Sequence, residues 1–138
     1  MSRIKPPKVN RKNKGITARI ETVNYDEKPP VFSLERLQNS KYCLQKLDQE
    51  GKSAFADAIF RRKDITWREI NRSGRHKLGS EKMPIASIKA AKPSFITPDM
   101  SDYLVFRYHG KRPMVGYRKN DVFYVLWFDH DFTLYDHS

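Results

Sequence analysis

The hydrophobic pattern is strongest in the last third of the chain, where three apolar segments are separated by short polar turns. The segments are YLVFRYHG (103–110), RPMVGYRK (112–119) and VFYVLWFDHDFTLYDHS (122–138). Val, Phe, Tyr, Leu and Trp favour a pleated, half-buried surface. Gly110-Lys111 and Asn120-Asp121 fall in the gaps, where hairpin turns need residues of this kind. The pattern predicts three consecutive antiparallel strands followed by a short tail.

A two-residue turn at Asn120-Asp121 fixes a register for the second hairpin. The expected cross-strand pairs are Arg118–Phe123, Gly116–Val125 and Met114–Trp127 on one face, with Tyr117–Tyr124 and Val115–Leu126 on the other. Both faces are thus largely apolar, which predicts helices over one face and a partial cover over the other. Gly116 in mid-strand indicates a bulge or a close backbone approach.

Before this meander, apolar positions follow a helical period. A helix from about Lys41 to Arg62 is expected to bury Leu44, Leu47, Phe55, Ala58 and Ile59, with Gly51 as a weak point. Thr66 and Glu69 form a capping box that starts a short helix burying Trp67. Weaker patterns predict a strand at 16–26, a turn capped by Ser33 and a helix at 83–93. The predicted fold class is α+β, with helices preceding a three- to four-stranded antiparallel twisted sheet.

Composition favours one domain, at residues 16–138. The chain has 138 residues, of which 38% are hydrophobic, and residues 1–15 form a basic, Pro-containing segment expected to be a disordered arm. One cysteine, Cys43, excludes an internal disulfide and favours a reducing, cytoplasmic setting. Neither a membrane-spanning apolar run nor the apolar core of a secretory signal is present in the sequence.

Positive charge is unevenly distributed. The net charge is +11, and residues 1–19 and residues 61–92 each contribute +7, while the remaining segments are weakly acidic. A basic arm with a basic middle region is typical of a polyanion binder. We therefore expect RNA or the ribosome as the partner, and solubility alone is the alternative reading of the charge.

Charged and titratable residues punctuate the three predicted strands and the tail. They are Arg107, His109, Arg118, Asp129, His130, Tyr135 and His137. Cations beside titratable groups on a sheet suit a phosphate-bearing ligand. The alternatives are solvated strand arginines, a frayed tail, and Tyr117 and Tyr124 as core residues rather than a base-stacking platform.

The order of elements, with Arg107 and Arg118 on neighbouring strands and Tyr135 and His137 near the chain end, resembles the RelE/ParE-like superfamily of toxins from toxin–antitoxin modules. The resemblance covers about residues 41–137 and concerns element order and residue type. It implies a basic cytoplasmic protein with a RelE-like sheet, and a small cognate antitoxin as a possible partner. It also implies a metal-independent endoribonuclease acting on mRNA, commonly on the ribosome, without a cofactor.

The implied reaction gives each residue a role. A base takes the proton of a ribose 2′-OH, cations stabilise the phosphate charge, and an acid protonates the leaving 5′-oxygen. Arg107 and Arg118 are assigned to the phosphate. His109, Tyr135 and His137 compete for the proton transfers. Both arginines must then share one face of the sheet, with the tail folded back over it.

Further cations are candidates for RNA or phosphate binding. They are Arg75, His76, Lys77 and Lys82 in a predicted loop at 74–82, with Arg112 and Lys119 at the ends of the middle strand. A solvated connector is the alternative for the loop. Asp129-His130-Asp131 with Asp136-His137 matches no standard metal-ligand spacing, so no metal site is expected.

Two other functions remain open. A non-catalytic RNA- or ribosome-binding accessory protein, of phage or plasmid origin, would use the same basic regions without the tail histidines. Gyrase inhibition is known in the ParE branch of the superfamily, and the pattern of residues does not select for it.

Overall fold

A computed structural model describes residues 22–73 and 78–137, which form an α+β fold with two α-helices and one five-stranded mixed sheet. The helices are α1 (Gln49–Phe60) and α2 (Trp67–Ser73), and the strands are β1 (Val31–Ser33), β2 (Ser80–Pro84), β3 (Asp102–His109), β4 (Arg112–Lys119) and β5 (Val122–Phe128). The strand order is β1-β5-β4-β3-β2. β1 pairs with β5 in parallel and the other neighbours are antiparallel. The α+β class is therefore confirmed, but the sheet differs from the predicted three- to four-stranded antiparallel one. It has two further edge strands, β1 and β2, and β1 precedes the helices and pairs in parallel.

The two predicted hairpin turns lie where the sequence placed them. Gly110 has φ of 60° and Asn120 has φ of 59°, so both occupy the left-handed region. Glycine and asparagine tolerate this conformation better than other residues do. These turns fix the β3–β4–β5 meander, which is the centre of the sheet.

The register of β4 against β5 follows the prediction from the turn to Gly116 and then shifts. Gly116 pairs with Val125, whereas Val115 pairs with Trp127, so β5 carries one extra residue, Leu126. A Cβ at position 116 would overlap the carbonyl oxygen of Tyr124. Gly116 thus marks both the bulge and the close approach, and the predicted pairs Met114–Trp127 and Val115–Leu126 are wrong by one residue.

Capping side chains set the helix starts. Asp48 Oδ1 accepts a hydrogen bond from the Gly51 amide at 2.7 Å, so α1 begins at Gln49, later than the predicted Lys41. Gly51 is the buried residue of its first turn. Glu69 Oε1 accepts from the Thr66 amide at 2.8 Å, while Thr66 Oγ1 accepts from the Glu69 amide at 3.2 Å. This is the predicted capping box.

Two weaker predictions fail on the described residues. Residues 83–93 were expected to be helical, but Ser80–Pro84 pair with β3 and only Ile85–Ser87 form a 3-10 turn. Pairing with a neighbouring strand outweighs the local helical pattern there. Within residues 22–26 the expected strand is replaced by the start of a 3-10 turn at Tyr25–Glu27. The rest of that strand and the predicted arm at 1–15 lie outside the described residues.

The sheet separates two apolar clusters. The first packs α1 and α2 on one face through Phe55, Ala58, Trp67, Ile70, Phe106, Met114, Phe123 and Phe128. The second lies on the other face and contains Tyr103, Val105, Val115, Leu126 and Trp127 under Ile88, Ile96, Leu134 and Tyr135. The predicted helical cover and partial second cover are both present, and the tail belongs to the second cover.

Arg62 ties α1 to the sheet from a buried position. Its guanidinium donates to the carbonyl oxygens of Ala58 at 2.9 Å and Leu78 at 3.1 Å, and it lies 5.0 Å from the Phe106 ring centroid. Burial lowers the pKa of Arg62 to about 10, so the side chain is charged at neutral pH.

Neither α1 nor α2 is long and apolar enough to cross a membrane.

Candidate acid–base site beside the C-terminal tail

The chain after β5 folds back over the second face of the sheet. Asp129 is fully buried, its amide donates to the Pro113 carbonyl at 2.9 Å, and its Oδ1 accepts from the Thr133 amide at 2.9 Å. Phe132 has φ of 61°, which marks the sharp turn between these two contacts. Leu134 and Tyr135 then pack into the second cluster. The tail is therefore an ordered part of the domain.

A buried carboxylate holds the last described histidine. His137 Nε2 lies 2.8 Å from Asp129 Oδ2, and the Tyr135 ring stacks on the imidazole at 4.0 Å with an interplanar angle of 28°. The side chain of His137 is 24% exposed. A carboxylate acceptor on one ring nitrogen fixes the tautomer and leaves Nδ1 with the lone pair.

A cleft of about 460 Å³ opens beside this pair. We call it the tail cleft, and its charged and titratable lining residues are Glu81, Arg107, Lys111, Tyr135, Asp136 and His137. Asp136 is bound to Lys89 at 3.0 Å, which reduces its negative field. The tail cleft thus joins an oriented imidazole to two cations, the arrangement that phosphoryl chemistry without a metal requires.

The structure brings Arg107, Tyr135 and His137 together but places Arg118 elsewhere. Arg118 Cζ lies 4.3 Å from the Trp67 ring centroid, Nη2 bonds to Asp26 at 2.7 Å and Nε donates to the Asn120 carbonyl. Trp67 belongs to the first cluster, on the helical face. The prediction that both strand arginines reach one phosphate is therefore wrong.

A bulge explains the separation of the two arginines. His109 pairs with Arg112, but Arg107 pairs with Pro113, so the register shifts by one at Tyr108. Without the shift, Arg107 would pair with Met114. Met114 lies four positions from Arg118 and on the same face of β4. With the shift, Arg107 pairs with Pro113, which is five positions from Arg118. Side chains alternate along a strand, so the two arginines lie on opposite faces.

Arg118 and Lys82 line a second, larger cleft of about 710 Å³. It lies where α2 meets the open ends of β3 and β4, and it includes Asn71, Asp102 and Tyr103. Arg118 is already engaged by Asp26, and none of the three described histidines, His109, His130 and His137, lines this cleft. Its size exceeds that of the tail cleft, but its groups offer less acid–base chemistry, so we place the candidate site in the tail cleft.

His109 and Arg112 line a shallow groove of about 140 Å³ on the other side of the β3–β4 turn. Arg112 Nε donates to the His130 carbonyl at 2.9 Å, and His130 Nε2 bonds to the Lys41 carbonyl at 2.9 Å. The competing proton-transfer roles require His109 to lie beside His137. His109 lies in this groove instead and is not beside His137. The bulge at Tyr108 is again the cause, because it pairs His109 with Arg112 and places it near the start of α1 instead of on the face of Arg107.

The remaining predicted cations are scattered. Lys119 is exposed beside the β4–β5 turn, and Arg75, His76 and Lys77 lie outside the described residues. The Thr133 hydroxyl donates to Asp131, and Lys41 lies 3.4 Å from it; the hydrogen bond first and the lysine second lower the pKa of Asp131. Within residues 22–73 and 78–137, no three His, Cys, Asp or Glu side chains converge as metal ligands.

Sequence reasoning overlooked the roles of Asp129 and Lys111. Asp129 was read as one member of an Asp/His-rich turn, and Lys111 only as a turn residue. The available signal was position, since Asp129 directly follows the buried strand β5 and a carboxylate there must find a partner. His137 is that partner.

Comparisons of the chain with protein-family models, with curated proteins and with solved structures find no match.

Proposed function

We propose that this protein is a metal-independent endoribonuclease that cleaves single-stranded RNA in the tail cleft. The observation that carries the proposal is the pairing of buried Asp129 with the partly exposed His137, which lines the tail cleft together with Arg107 and Lys111. A carboxylate that orients a histidine next to cations is suited to proton transfer at a bound phosphodiester. The net charge of +11 supports a polyanionic substrate.

His137 is the general base in this proposal. Its Nδ1 takes the proton of the ribose 2′-hydroxyl, and the 2′-oxygen forms a bond to the adjacent phosphorus. Arg107 and Lys111 bind the non-bridging oxygens and stabilise the added negative charge. The bond from phosphorus to the 5′-oxygen breaks, which leaves a 2′,3′-cyclic phosphate and a 5′-hydroxyl.

Tyr135 is the donor that we assign to the leaving 5′-oxygen. It lines the same cleft as His137 and stacks on its ring, so the acid and the base are neighbours. The stacking also restrains the imidazole. Replacing Tyr135 with phenylalanine keeps the ring and removes only the hydroxyl group that donates the proton, which separates the two roles.

The biological setting that we propose follows the resemblance to RelE/ParE-like toxins. Cleavage would act on mRNA, including mRNA on the ribosome, and a small antitoxin would neutralise it. Two features of the fold support this setting: both helices precede the β3–β4–β5 meander, and the tail returns to the sheet. Induction of the wild type should slow growth, and induction of Arg107→Ala should not.

The direct test is cleavage of a defined RNA by purified variants. We expect His137→Ala and Arg107→Ala each to reduce kcat/KM by about 10²–10⁴-fold, the usual contribution of a positioned acid–base group or phosphate clamp. Lys52→Ala and Arg72→Ala each remove one positive charge from an exposed helical position outside the tail cleft, and they should leave kcat/KM unchanged.

Two results would contradict the proposal. Equal activity in His137→Ala and Lys52→Ala would show that the tail cleft is not the active site. Salt-dependent RNA binding without any cleavage by the wild type would instead favour the non-catalytic accessory role.

A further inference from the structure

An arginine lies among three aromatic rings on the second face of the sheet, away from the tail cleft. Arg36 Cζ is 4.6 Å from the Phe95 ring centroid and 5.6 Å from that of Tyr124, and its Nη1 donates to the Tyr117 hydroxyl at 3.1 Å. Tyr117 and Tyr124 are cross-strand neighbours whose rings stack at 5.1 Å. We call these four residues the aromatic cluster.

The aromatic cluster is only half closed. Phe95 is 37% exposed, and Tyr117 and Tyr124 are partly exposed, in contrast to the buried aromatic residues of the two cores. Arg36 forms no ion pair with a carboxylate among residues 22–73 and 78–137. Flat rings beside an unpaired guanidinium offer stacking surfaces and a positive charge at one place, which is how proteins hold unstacked bases of single-stranded RNA.

The position of the cluster fits a strand that enters the tail cleft. Tyr117 lies four residues along β4 from Pro113, which pairs with Arg107 on the same face, a separation of about 13 Å. A stacked nucleic-acid strand rises about 3.4 Å per nucleotide, so about four nucleotides span this distance.

Lysines lie on the segment between the two places. Residues 85–100 cover the middle of this face through Ile88 and Ile96, and they carry Lys89 and Lys92 on their exposed side. The Lys89 side chain is 58% exposed, although it is paired with Asp136. Backbone phosphates that cross this segment would therefore meet positive charge.

We propose that the aromatic cluster is a base-stacking subsite for single-stranded RNA, joined to the tail cleft across Lys89 and Lys92. The proposal rests on the endoribonuclease function, and it adds a requirement for substrate length. A nucleotide held on Phe95 and Tyr117 would position the RNA about four nucleotides from the phosphate that is cleaved.

The test measures binding of fluorescein-labelled hexaadenylate to the cleavage-deficient His137→Ala protein. Adding Phe95→Ala should weaken binding by about 5- to 150-fold, the range for loss of one base–aromatic stack. Adding Phe95→Trp should retain the affinity. Phe60→Ala is the matched control, because Phe60 is the same residue type, is 62% exposed and lies on α1. Diadenylate, which is too short to span both places, should bind equally to all four proteins.

The outcomes separate the two proposals. If Phe95→Ala binds the hexamer as tightly as Phe60→Ala while the wild type cleaves RNA, the subsite is wrong and the endoribonuclease stands. If the wild type cleaves no RNA and the His137→Ala protein binds no hexamer, both fail. A loss of affinity that is equal for diadenylate and hexaadenylate would overturn the length requirement and with it the subsite.

Discussion

At the scale of single residues, the buried polar groups divide into those with partners and those without. Asp129 is fully buried and accepts hydrogen bonds from Thr133 and His137, so its charge is stabilised by donors. Tyr108 is 3% exposed, and its hydroxyl bonds to none of the described residues. The first arrangement orients the imidazole of His137, whereas the second is a cost to stability.

Asp129→Asn tests the orientation of His137. The new amide can donate to Nε2, which would move the ring proton to Nδ1. The lone pair of Nδ1, which takes the proton of the 2′-hydroxyl in the proposed reaction, would then be lost. We expect kcat to fall by about 10²–10⁴-fold while RNA affinity is retained. Single-turnover cleavage and equilibrium binding measure the two effects. Equal losses in cleavage and in binding would mean that Asp129 supports the tail rather than the imidazole.

Tyr108→Phe tests the unpartnered hydroxyl. At pH 7 the variant should be at least as stable as the wild type, with a gain of up to about 1–3 kcal/mol, because it removes a buried group that lost its hydrogen bonds to water. Urea unfolding measures this. A loss of more than about 1 kcal/mol would show that the hydroxyl has a partner in solution.

The same residue predicts a pH dependence. Burial raises the pKa of Tyr108 to about 12, so between pH 10 and 12 the unfolded chain releases a proton that the native protein keeps. Stability from this group is complete below pH 10 and declines as the pH rises through that window. Tyr108→Phe should show a smaller decline than the wild type between pH 10 and 12. Parallel curves would contradict the assignment.

At the scale of elements, two bulges decide which side chains reach the site. The shift at Tyr108 keeps Arg107 beside the tail and sends Arg118 to the helical face, and the shift at Gly116 moves the β4–β5 register by one. Turn residues and capping residues act locally, so the hairpins and the α2 capping box could be predicted from sequence. Gly116 also indicated one bulge in the sequence, but the bulge at Tyr108 has no such marker and depends on packing across several strands. A one-residue slip there reverses every side chain beyond it.

The edge strands illustrate a second limit of sequence reasoning. Val31–Ser33 and Ser80–Pro84 are short, and each becomes a strand because a neighbour in the meander pairs with it. Their own patterns carry little signal. The site shows the same limit. Residue type alone predicts Arg107, Tyr135 and His137 as site residues. Asp129 and Lys111 join them only because of the turn at Phe132 and the hairpin at Gly110.

Gly116→Ala should be far more damaging than Gly110→Ala. A methyl at 116 would overlap the Tyr124 carbonyl, a backbone atom that cannot move without breaking the β4–β5 pairing. At Gly110, where space is open, the cost is the left-handed conformation, about 1–2 kcal/mol. Chemical unfolding compares the two variants. Similar stabilities would mean that the sheet can adjust at the bulge.

At the scale of the whole molecule, we expect the net charge of +11 to strengthen the binding of RNA at the clefts. Residues 1–15 contain six Lys or Arg and no acidic residue. Each phosphate that they neutralise adds about 0.7–0.9 to the slope of log K against log salt concentration. Deleting residues 1–15 should therefore lower both this slope and RNA affinity at low salt. Titrations at several salt concentrations test this, and an unchanged slope would mean that these cations do not contact RNA.

The chemical ends of the RNA products, determined after cleavage by the wild type in the presence of a chelator, test the proposed chemistry most directly. If His137 activates the 2′-hydroxyl, the products must carry 2′,3′-cyclic phosphates and 5′-hydroxyls, and the chelator must not reduce the rate. A 5′-phosphate product, or activity that the chelator abolishes, would contradict the account.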